Sequence, residues 1–300
     1  MSSWKLTAFG RKPVIEAALA RQDETLDWDH EIVLTGFEIA EDKPDDWRLD
    51  AYLPRKPRNA DRAAIAALFD GKAPDFAEEK LPEADWLTES QRGLDPIRAG
   101  RFHIHTPDHA PDPDAVNFEI PAAQAFGTGH HNTTAGCLAM LDAIKRSGLI
   151  ARDVADIGTG TGLLAFAARA LWPRARFTAT DIDPVCLGVI EDNAAMNAIP
   201  LGAMPGDVMP IIAPGTDDAA IQVRAPYDLL IANILARPLI DLAPDFADIT
   251  APGASVLLAG LLETQEAAVR RAYRRQGFRL AARLVDGDWS ILWLRKRAGM

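Results

Sequence analysis

Short apolar runs and longer helical patterns alternate along the chain from Ile120 to its carboxyl end. This alternation predicts a parallel sheet with helices on both of its faces. The last two runs follow each other without a helical pattern between them, so they predict an antiparallel hairpin at one edge. The predicted fold is therefore α/β, a doubly wound and mostly parallel sheet. The predicted strands are Val154–Ile157, Phe177–Thr180, Leu229–Ala232, Ser255–Ala259, Arg279–Leu284 and Ser290–Leu294.

The first part of the chain has a different pattern, in which two helical segments lie among three strand-like segments. It predicts a small amino-terminal α+β domain over residues 1–75. Residues 76–118 are rich in proline and charge, and we expect a linker there with one strand and a short helix. Residues 119–300 form the predicted α/β domain. The segments of the small domain are strands Trp4–Ala8, Glu31–Ile39 and Trp47–Leu53 and helices Pro13–Arg21 and Asp61–Phe69.

Composition limits the partners and the compartment. The 300 residues include 32 basic and 43 acidic side chains, a net charge of −11. This balance argues against broad adhesion to nucleic acid, so no direct nucleic-acid partner is expected. Two cysteines are too few for a disulfide framework, which favours a reducing cytoplasm. The first nine residues lack a signal-peptide core, and no apolar run approaches the roughly 20 residues that span a bilayer. We therefore expect a cytoplasmic protein without a membrane partner.

The segment from Asp156 to Leu163 reads Asp-Ile-Gly-Thr-Gly-Thr-Gly-Leu, between an apolar run and an alanine-rich run. It predicts a strand, a glycine turn and a helix. Glycines let a ligand approach the backbone, and free amides at a helix start favour a negative group. The spacing of Gly158, Gly160 and Gly162 is one residue shorter than the pyrophosphate-binding turn of dehydrogenases and is typical of methyltransferases. Asp156 and these glycines are therefore predicted to hold S-adenosylmethionine.

Asp181 ends the next predicted strand, where a carboxylate can accept hydrogen bonds from the two ribose hydroxyls of a nucleoside. Dehydrogenases place an acid similarly, so Asp181 supports a nucleoside ligand without choosing between the two enzyme classes. A tightly packed turn with no ligand is the structural alternative, and Asp181 argues against it.

A second glycine-containing segment precedes the first sheet strand and leads into a predicted helix at Ala135–Ile144. Its composition suits a loop that folds over a polar ligand, with Thr134 near the helix start, where a hydroxyl caps amides or meets the cofactor carboxylate. A capping loop without a ligand explains the same residues. The segment reads Phe126-Gly127-Thr128-Gly129-His130-His131-Asn132-Thr133-Thr134.

The third segment, Asn233-Ile234-Leu235-Ala236, follows a predicted strand and opens a helix. Ligands of open parallel sheets bind beyond the carboxyl ends of the strands, so Gly158, Asp181 and Asn233 should meet in one cleft. Asn233 can present its amide oxygen to an incoming nucleophile and is the predicted catalytic residue. No aromatic ring follows it to stack on a nucleobase, which favours an aliphatic amine as the acceptor. A helix-capping asparagine is the structural alternative.

No metal site is expected. His103 and His105 would share one face of a strand, with His109 nearby, but no acidic or cysteine ligand stands at a suitable spacing, and methyl transfer needs no metal. Cys137 and Cys186 lie in apolar helical contexts and are predicted to be small core residues.

These segments, in this order, resemble the bacterial methyltransferase family that modifies the large-subunit ribosomal protein L-eleven. The resemblance is strongest from Phe126 to about Ala259 and implies a Rossmann-like methyltransferase domain. The family patterns that match in register are F-G-T-G-x-H-x-T-T at Phe126–Thr134, D-x-G-x-G-S/T-G at Asp156–Gly162, D-I-D-P at Asp181–Pro184 and N-I-L-A at Asn233–Ala236.

By this resemblance Thr134, Gly158, Asp181 and Asn233 contact S-adenosylmethionine, Phe126, Gly127 and Thr128 belong to the same cofactor site, and the amino-terminal domain docks the ribosomal protein substrate. The methyl groups then go to lysine side chains and/or the N-terminal amine of that substrate. The alternatives are a methyltransferase for another protein or a small-molecule amine, a nicotinamide-dependent dehydrogenase and a non-catalytic binding module. The oligomeric state is left open.

Overall fold

The computed structural model describes residues 4–24, 28–29, 32–39, 45–71, 73–80, 96–121 and 130–298. The chain divides into two compact units, Met1–Ser90 and Gln91–Met300. This division lies inside the segment 76–118 that the sequence predicted as a linker, so the expected boundaries differ from it on both sides. The role of the first unit as a docking domain stays a prediction.

The first unit is a four-stranded antiparallel sheet with helices packed against it. Alternation along β1 and β3 places Leu6, Ala8, Leu49 and Ala51 in the core. The strand order is β2-β3-β1-β4. The elements are β1 (Trp4–Arg11), α1 (Lys12–Glu24), β2 (Val33–Glu38), β3 (Asp46–Leu53), α2 (Asn59–Ala66) and β4 (Ala77–Lys80). The predicted α+β architecture is confirmed here.

Asp61, in the first turn of α2, ties the start of that helix to the chain before it. Its carboxylate accepts a hydrogen bond from the backbone N–H of Arg58 at 2.8 Å and forms ion pairs with Arg55 and Arg58 at 3.1 and 3.0 Å. The Asp61 side chain is 4% exposed. The guanidinium of Arg58 is the largest cause that lowers the pKa of Asp61, to about 2.

The predicted linker holds more regular structure than expected. Besides β4 it contains three short strands, β5 (Ile97–Ala99), β6 (Phe102–His105) and β7 (Val116–Glu119), which form a separate sheet in the second unit. The expectation of one strand was wrong because these strands have only three or four residues. In β6 the apolar positions also alternate with histidines that are themselves buried, so the apolar run is short.

The second unit contains a seven-stranded sheet with the order β10-β9-β8-β11-β12-β14-β13. The first five strands in this order are parallel, and β12, β14 and β13 pair antiparallel. The elements of the unit are α3 (His130–Arg146), β8 (Asp153–Ile157), α4 (Leu163–Leu171), β9 (Arg176–Asp181), α5 (Val185–Met196), β10 (Val208–Ile212), α6 (Ala219–Arg224), β11 (Tyr227–Asn233), α7 (Ala236–Asp241), α8 (Ala243–Ile249), β12 (Thr250–Leu262), α9 (Glu266–Arg275), β13 (Phe278–Asp286) and β14 (Trp289–Lys296).

This arrangement confirms the mostly parallel sheet with an antiparallel hairpin at one edge. Helices cover both faces: Leu138 and Phe166 belong to one core, and Phe246 and Tyr273 belong to the other. The sequence did not predict the edge strand β10. Its apolar run contains Pro210, which an edge strand tolerates and a central strand does not.

The order in which the chain adds strands to the sheet reverses at β8. After β8 it adds β9 and β10 on one side, then returns to place β11 on the other side. Open α/β sheets bind ligands at such a switch point, beyond the carboxyl ends of the strands. Within the described part of the chain, no helix is both long enough and apolar enough to cross a membrane.

The Asp61 contacts make the stability of the first unit depend on pH. A carboxylate whose pKa falls from the ordinary 3.8 to about 2 on folding stabilises the fold above pH 4, and the effect is lost as the pH falls through 2. Because the arginines are partly exposed, Asp61→Asn should cost about 1–2 kcal/mol at pH 7. Hydrogen exchange of the β1 and β3 amides would measure this loss of stability, and replacement of an exposed aspartate, Asp75→Asn, is the control. Equal exchange in both variants at pH 7 would contradict this role for Asp61.

Candidate functional site

A cavity of about 570 Å³ lies at the carboxyl ends of β8, β9 and β11. Gly158 follows β8, Asp181 ends β9 and Asn233 ends β11, and all three residues line the cavity. The structure therefore brings together the three residues that the sequence predicted to meet in one cleft.

The glycine turn after β8 is held by backbone hydrogen bonds to the neighbouring strand. The N–H groups of Gly158 and Thr159 donate to the carbonyl of Thr180 at 2.7 and 2.8 Å. Gly158 has φ +73°, and a Cβ at this position would lie 2.2 Å from Cγ2 of Ile234. A residue with a side chain would be strained at this φ and would have to displace the side chain of Ile234.

Asp181 connects the end of β9 to the same turn. Its Oδ2 accepts a hydrogen bond from the N–H of Gly160 at 2.9 Å, and its Oδ1 accepts one from the N–H of Asp183 at 3.1 Å. A carboxylate offers about four acceptor positions, so these two bonds leave capacity for the hydroxyls of a ligand. Asp181 is also the one ionisable side chain among the described residues that line the cavity.

Asp156 lies beneath the turn, outside the cavity lining, and is 1% exposed. Its Oδ2 accepts hydrogen bonds from Thr159 Oγ1 at 2.6 Å and from the N–H of Ala165 at 3.0 Å. Oδ1 is buried without a hydrogen-bond partner in the described part of the chain. Burial raises the pKa of Asp156 to about 7. The contacts of Asp156 therefore fasten the turn to the start of α4.

The helix after the second glycine-containing segment begins earlier than predicted. Helix α3 starts at His130, five residues before Ala135, so Thr134 lies inside the helix and is not its cap. Helix penalties of asparagine, threonine and histidine are below about 1 kcal/mol, so this polar composition does not stop a helix. Thr134 is buried, and its neighbour Thr133 lines the cavity.

Two further predicted site residues belong to the turn without lining the cavity, and three lie outside the described residues. Gly160 and Gly162 belong to the turn, with φ +54° and +82°, but do not line the cavity. Phe126, Gly127 and Thr128 lie outside the described residues.

Asn233 lines the cavity, and its amide oxygen has no hydrogen-bond partner among the described residues. Its Oδ1 is buried, although the residue itself is half-buried. A buried acceptor that lacks a partner costs about 1–3 kcal/mol. Since Asn233 also lines the cavity, a donor on a bound ligand is the group that would satisfy it.

Gly260 is a site residue that the sequence did not reveal. It lies in β12 at a bulge between Leu258 and Leu261, with φ +82°. A Cβ there would lie 2.3 Å from the carbonyl oxygen of Ile234. Gly260 therefore allows β12 to pass directly beside the segment that follows Asn233. An isolated glycine near the end of an apolar run was the available signal.

Trp289 also lines the cavity and was not predicted there. It begins β14 and pairs with Leu262 on β12. In the sequence it follows the segment Asp286-Gly287-Asp288. It is far along the chain from the other lining residues, so the sequence does not indicate that it lies at the cavity. The pairing of β14 with β12 brings it to the cavity.

Among the residues whose side chains are described, no histidine or cysteine lines the cavity. His103 and His105 are buried on β6 with their ring centroids 5.3 Å apart, and His103 Nδ1 lies 2.8 Å from Asn117 Oδ1. In the described ranges, no group of three or more histidines, cysteines or acidic residues is arranged to hold a metal ion. Cys137 is buried, as predicted, whereas Cys186 is half-buried.

Comparisons with known proteins agree with this geometry. A sequence model of the family described as "Ribosomal protein L11 methyltransferase (PrmA)" matches residues 3–297. The ribosomal protein L11 methyltransferase of Agrobacterium fabrum (strain C58) is 38% identical over 275 residues, which cover 89% of this chain and 90% of that relative. The enzyme of the same name from Sinorhizobium fredii is 41% identical over 275 residues, covering 87% and 90%.

A solved structure also matches. The crystal structure of a ribosomal protein L11 methylase from Lactobacillus delbrueckii subsp. bulgaricus is 27% identical, with a TM-score of 0.57, and the match covers 68% of this chain and all of that one. The family match over nearly the whole length confirms both the resemblance and the Rossmann-like α/β fold. This chain belongs to the ribosomal protein L11 methyltransferase family, whose members are S-adenosylmethionine-dependent enzymes.

Proposed function

We propose that this chain transfers methyl groups from S-adenosylmethionine to amino groups of ribosomal protein L11, on lysine side chains and/or the N-terminal amine. The supporting observation is that Asn233, whose amide oxygen has no hydrogen-bond partner among the described residues, lines the same cavity as Asp181 and the turn at Gly158. It offers a hydrogen-bond acceptor for an amine beside a set of groups suited to a nucleoside.

The residues of the cavity fit S-adenosylmethionine. Asp181 has acceptor capacity for the two ribose hydroxyls, and the glycine turn leaves room for close approach of a ligand to the backbone. Exposed apolar side chains at the rim, Ile182 and Leu235, can contact a flat ring. When bound, S-adenosylmethionine would supply a methyl group on a sulfonium sulfur. A nucleophile would attack the methyl carbon in line with the C–S bond, and the thioether would leave.

The acceptor amine has to be neutral, since only its lone pair can attack. A lysine amine with a pKa near 10.4 is about 0.04% neutral at pH 7, a deficit of roughly 4.6 kcal/mol. In the described lining Asp181 is the one ionisable group, and we assign it to the ribose. Burial in a mostly apolar cavity favours the neutral amine, and Asn233 Oδ1 can accept one of its N–H hydrogens and align it.

The first unit is suited by charge to receive a lysine-bearing protein. Residues 1–90 contain 12 basic and 20 acidic side chains, a net charge of −8 out of −11 for the whole chain. An acidic surface attracts a cationic partner and raises the rate of encounter. This distribution supports the assignment of the first unit to substrate docking.

Replacement of Asp181 tests the cofactor site. Asp181→Ala should weaken binding of S-adenosylmethionine by about 1.5–3 kcal/mol, because a charge-assisted acceptor for the ribose is lost. Calorimetric titration measures the affinity, and Asp192→Ala, an exposed acidic residue on α5 without a described hydrogen bond, is the matched control. Affinity equal to that of the wild type would remove Asp181 from the cofactor site.

Replacement of Asn233 tests the amine site. Asn233→Ala should lower kcat by about ten- to a thousandfold with a smaller change in cofactor Kd, because its contact with the amine forms fully only in the transition state. The Tm of the cofactor-free protein should change little, since no hydrogen bond to this side chain is described. A variant with normal kcat at saturation but much weaker cofactor binding would place Asn233 in the cofactor site alone.

Removal of the first unit tests substrate docking. A chain that starts at Gln91 keeps β5, β6 and every described residue of the cavity lining, so it should still bind S-adenosylmethionine. Methylation of intact L11 should fall by at least tenfold. Cofactor affinity is the internal control for folding. Full activity towards intact L11 in a shortened chain with normal cofactor affinity would show that docking does not need the first unit.

A further inference from the structure

The carboxyl-terminal segment 266–297 has a charge opposite to that of the whole protein. It contains eight arginines, one lysine and three acidic residues, a net charge of +6 within a chain of −11. The segment comprises α9, the edge strand β13 and its neighbour β14. Because the rest of the chain is acidic, the net charge of the whole protein does not describe the charge of this segment.

The basic residues surround a second cavity, which we call the arginine cavity, with a volume of about 330 Å³. Its apolar lining includes Phe278, Leu280 and Leu294. Four exposed arginines also line it: Arg270, Arg271, Arg274 and Arg279. None of these residues lines the cavity at Asn233, so the arginine cavity is a separate site.

Most of these arginines have no acidic partner. Glu266 accepts hydrogen bonds from Arg270 and Arg283, at 2.9 and 2.5 Å, and is thereby occupied. Among the described residues, six exposed arginines of the segment form no ion pair with a carboxylate. These are Arg271, Arg274, Arg275, Arg279, Arg295 and Arg297.

Folding alone does not account for this clustering. Arginines in the last turn of α9 interact favourably with the helix dipole, which explains Arg274 and Arg275. Arg279 donates hydrogen bonds to the carbonyls of Arg274 and Phe278, and Arg295 donates one to that of Gly253. The two arginines nevertheless stand opposite each other on β13 and β14. Like charges directly opposite on paired strands are destabilising. An anionic ligand that contacts both elements would offset this repulsion.

The chemistry of the cluster favours phosphates carried on a strand. Guanidinium groups bind phosphate oxygens in pairs and stack on flat bases. Arg271 and Arg274 on α9 and Arg279 on the edge strand β13 all line the arginine cavity without a described carboxylate partner, and three guanidinium groups suit several phosphates more than one small anion. The apolar side chains in the cavity suit a base, and an unpaired strand can turn a single base into such a space.

We infer that α9 and the β13–β14 edge bind single-stranded RNA, with its phosphates on the unpaired arginines and one base in the arginine cavity. The expectation of no direct nucleic-acid partner depended on the net charge of the whole chain. Local charge decides binding at this surface because interactions between exposed charges are screened within about 8–10 Å at physiological salt.

The test uses the full-length protein and a short fluorescein-labelled oligouridylate, measured by fluorescence anisotropy over a range of salt concentrations. Saturating S-adenosylhomocysteine blocks the other cavity, and uridine avoids the adenine that belongs to the cofactor. The variant is Arg271→Gln with Arg274→Gln, two exposed residues without described ion pairs. The control is Arg174→Gln, an exposed arginine before β9, on the opposite side of the sheet from β13.

The double variant should bind the oligouridylate at least tenfold more weakly at low salt. The slope of log Kd against log salt concentration should be smaller by about 1.4 in the double variant, since each lost phosphate contact to a single strand removes about 0.7 from the slope. The control should bind as the wild type does, and cofactor affinity should be unchanged in both variants.

Four results would overturn the inference. The double variant could bind the oligouridylate as tightly as the wild type does. Uridine monophosphate could displace the labelled oligouridylate at the same molar concentration as the unlabelled oligomer. Polyglutamate could displace the RNA at equal charge, which would indicate an acidic protein partner. Light scattering could show wild-type dimers at low salt that the double variant lacks, which would assign the surface to an acidic region of a second copy. None of these outcomes depends on methylation of L11.

Discussion

The close passage of the chain at Ile234 between two glycines is the constraint on which the site depends. On one side a Cβ at Gly158 would lie 2.2 Å from the side chain of Ile234, and on the other a Cβ at Gly260 would lie 2.3 Å from its carbonyl oxygen. The ends of β8, β11 and β12 therefore approach more closely than residues with side chains allow. This approach brings Asn233 and the glycine turn to one cavity, which the proposed reaction requires for the amine and the cofactor.

A buried carboxylate, that of Asp156, holds the glycine turn in place through hydrogen bonds. Asp156 joins Thr159 of the turn to Ala165 of α4, while Asp181 holds the amide of Gly160 from the neighbouring strand. These two acids on neighbouring strands therefore act differently. Asp156 is almost fully buried, and burial raises its pKa to about 7, whereas Asp181 faces the cavity and is available to a ligand.

Charge is divided along the chain in a way that fits separate tasks. Residues 1–90 have a net charge of −8, residues 91–265 of −9 and residues 266–297 of +6. The acidic first unit fits the proposed docking of a cationic substrate protein. The cavity proposed for the cofactor lies in the second unit, and Asp181 is the one ionisable side chain in its described lining. The basic segment is continuous with the antiparallel edge of the sheet, so it can bind a polyanion without occupying the cavity at Asn233.

The sequence alone determined the α/β class, the edge hairpin and the three strand ends that meet in the cavity. These follow from local patterns: apolar runs set the strands, and the glycine, aspartate and asparagine motifs stand directly after them. Only the tertiary structure decided the roles of Gly260 and Trp289 in the lining, the three short strands at 97–119 and the start of α3 at His130. These features depend on which strands pair and which side chains are buried together, contacts between residues far apart in sequence that a local pattern does not contain.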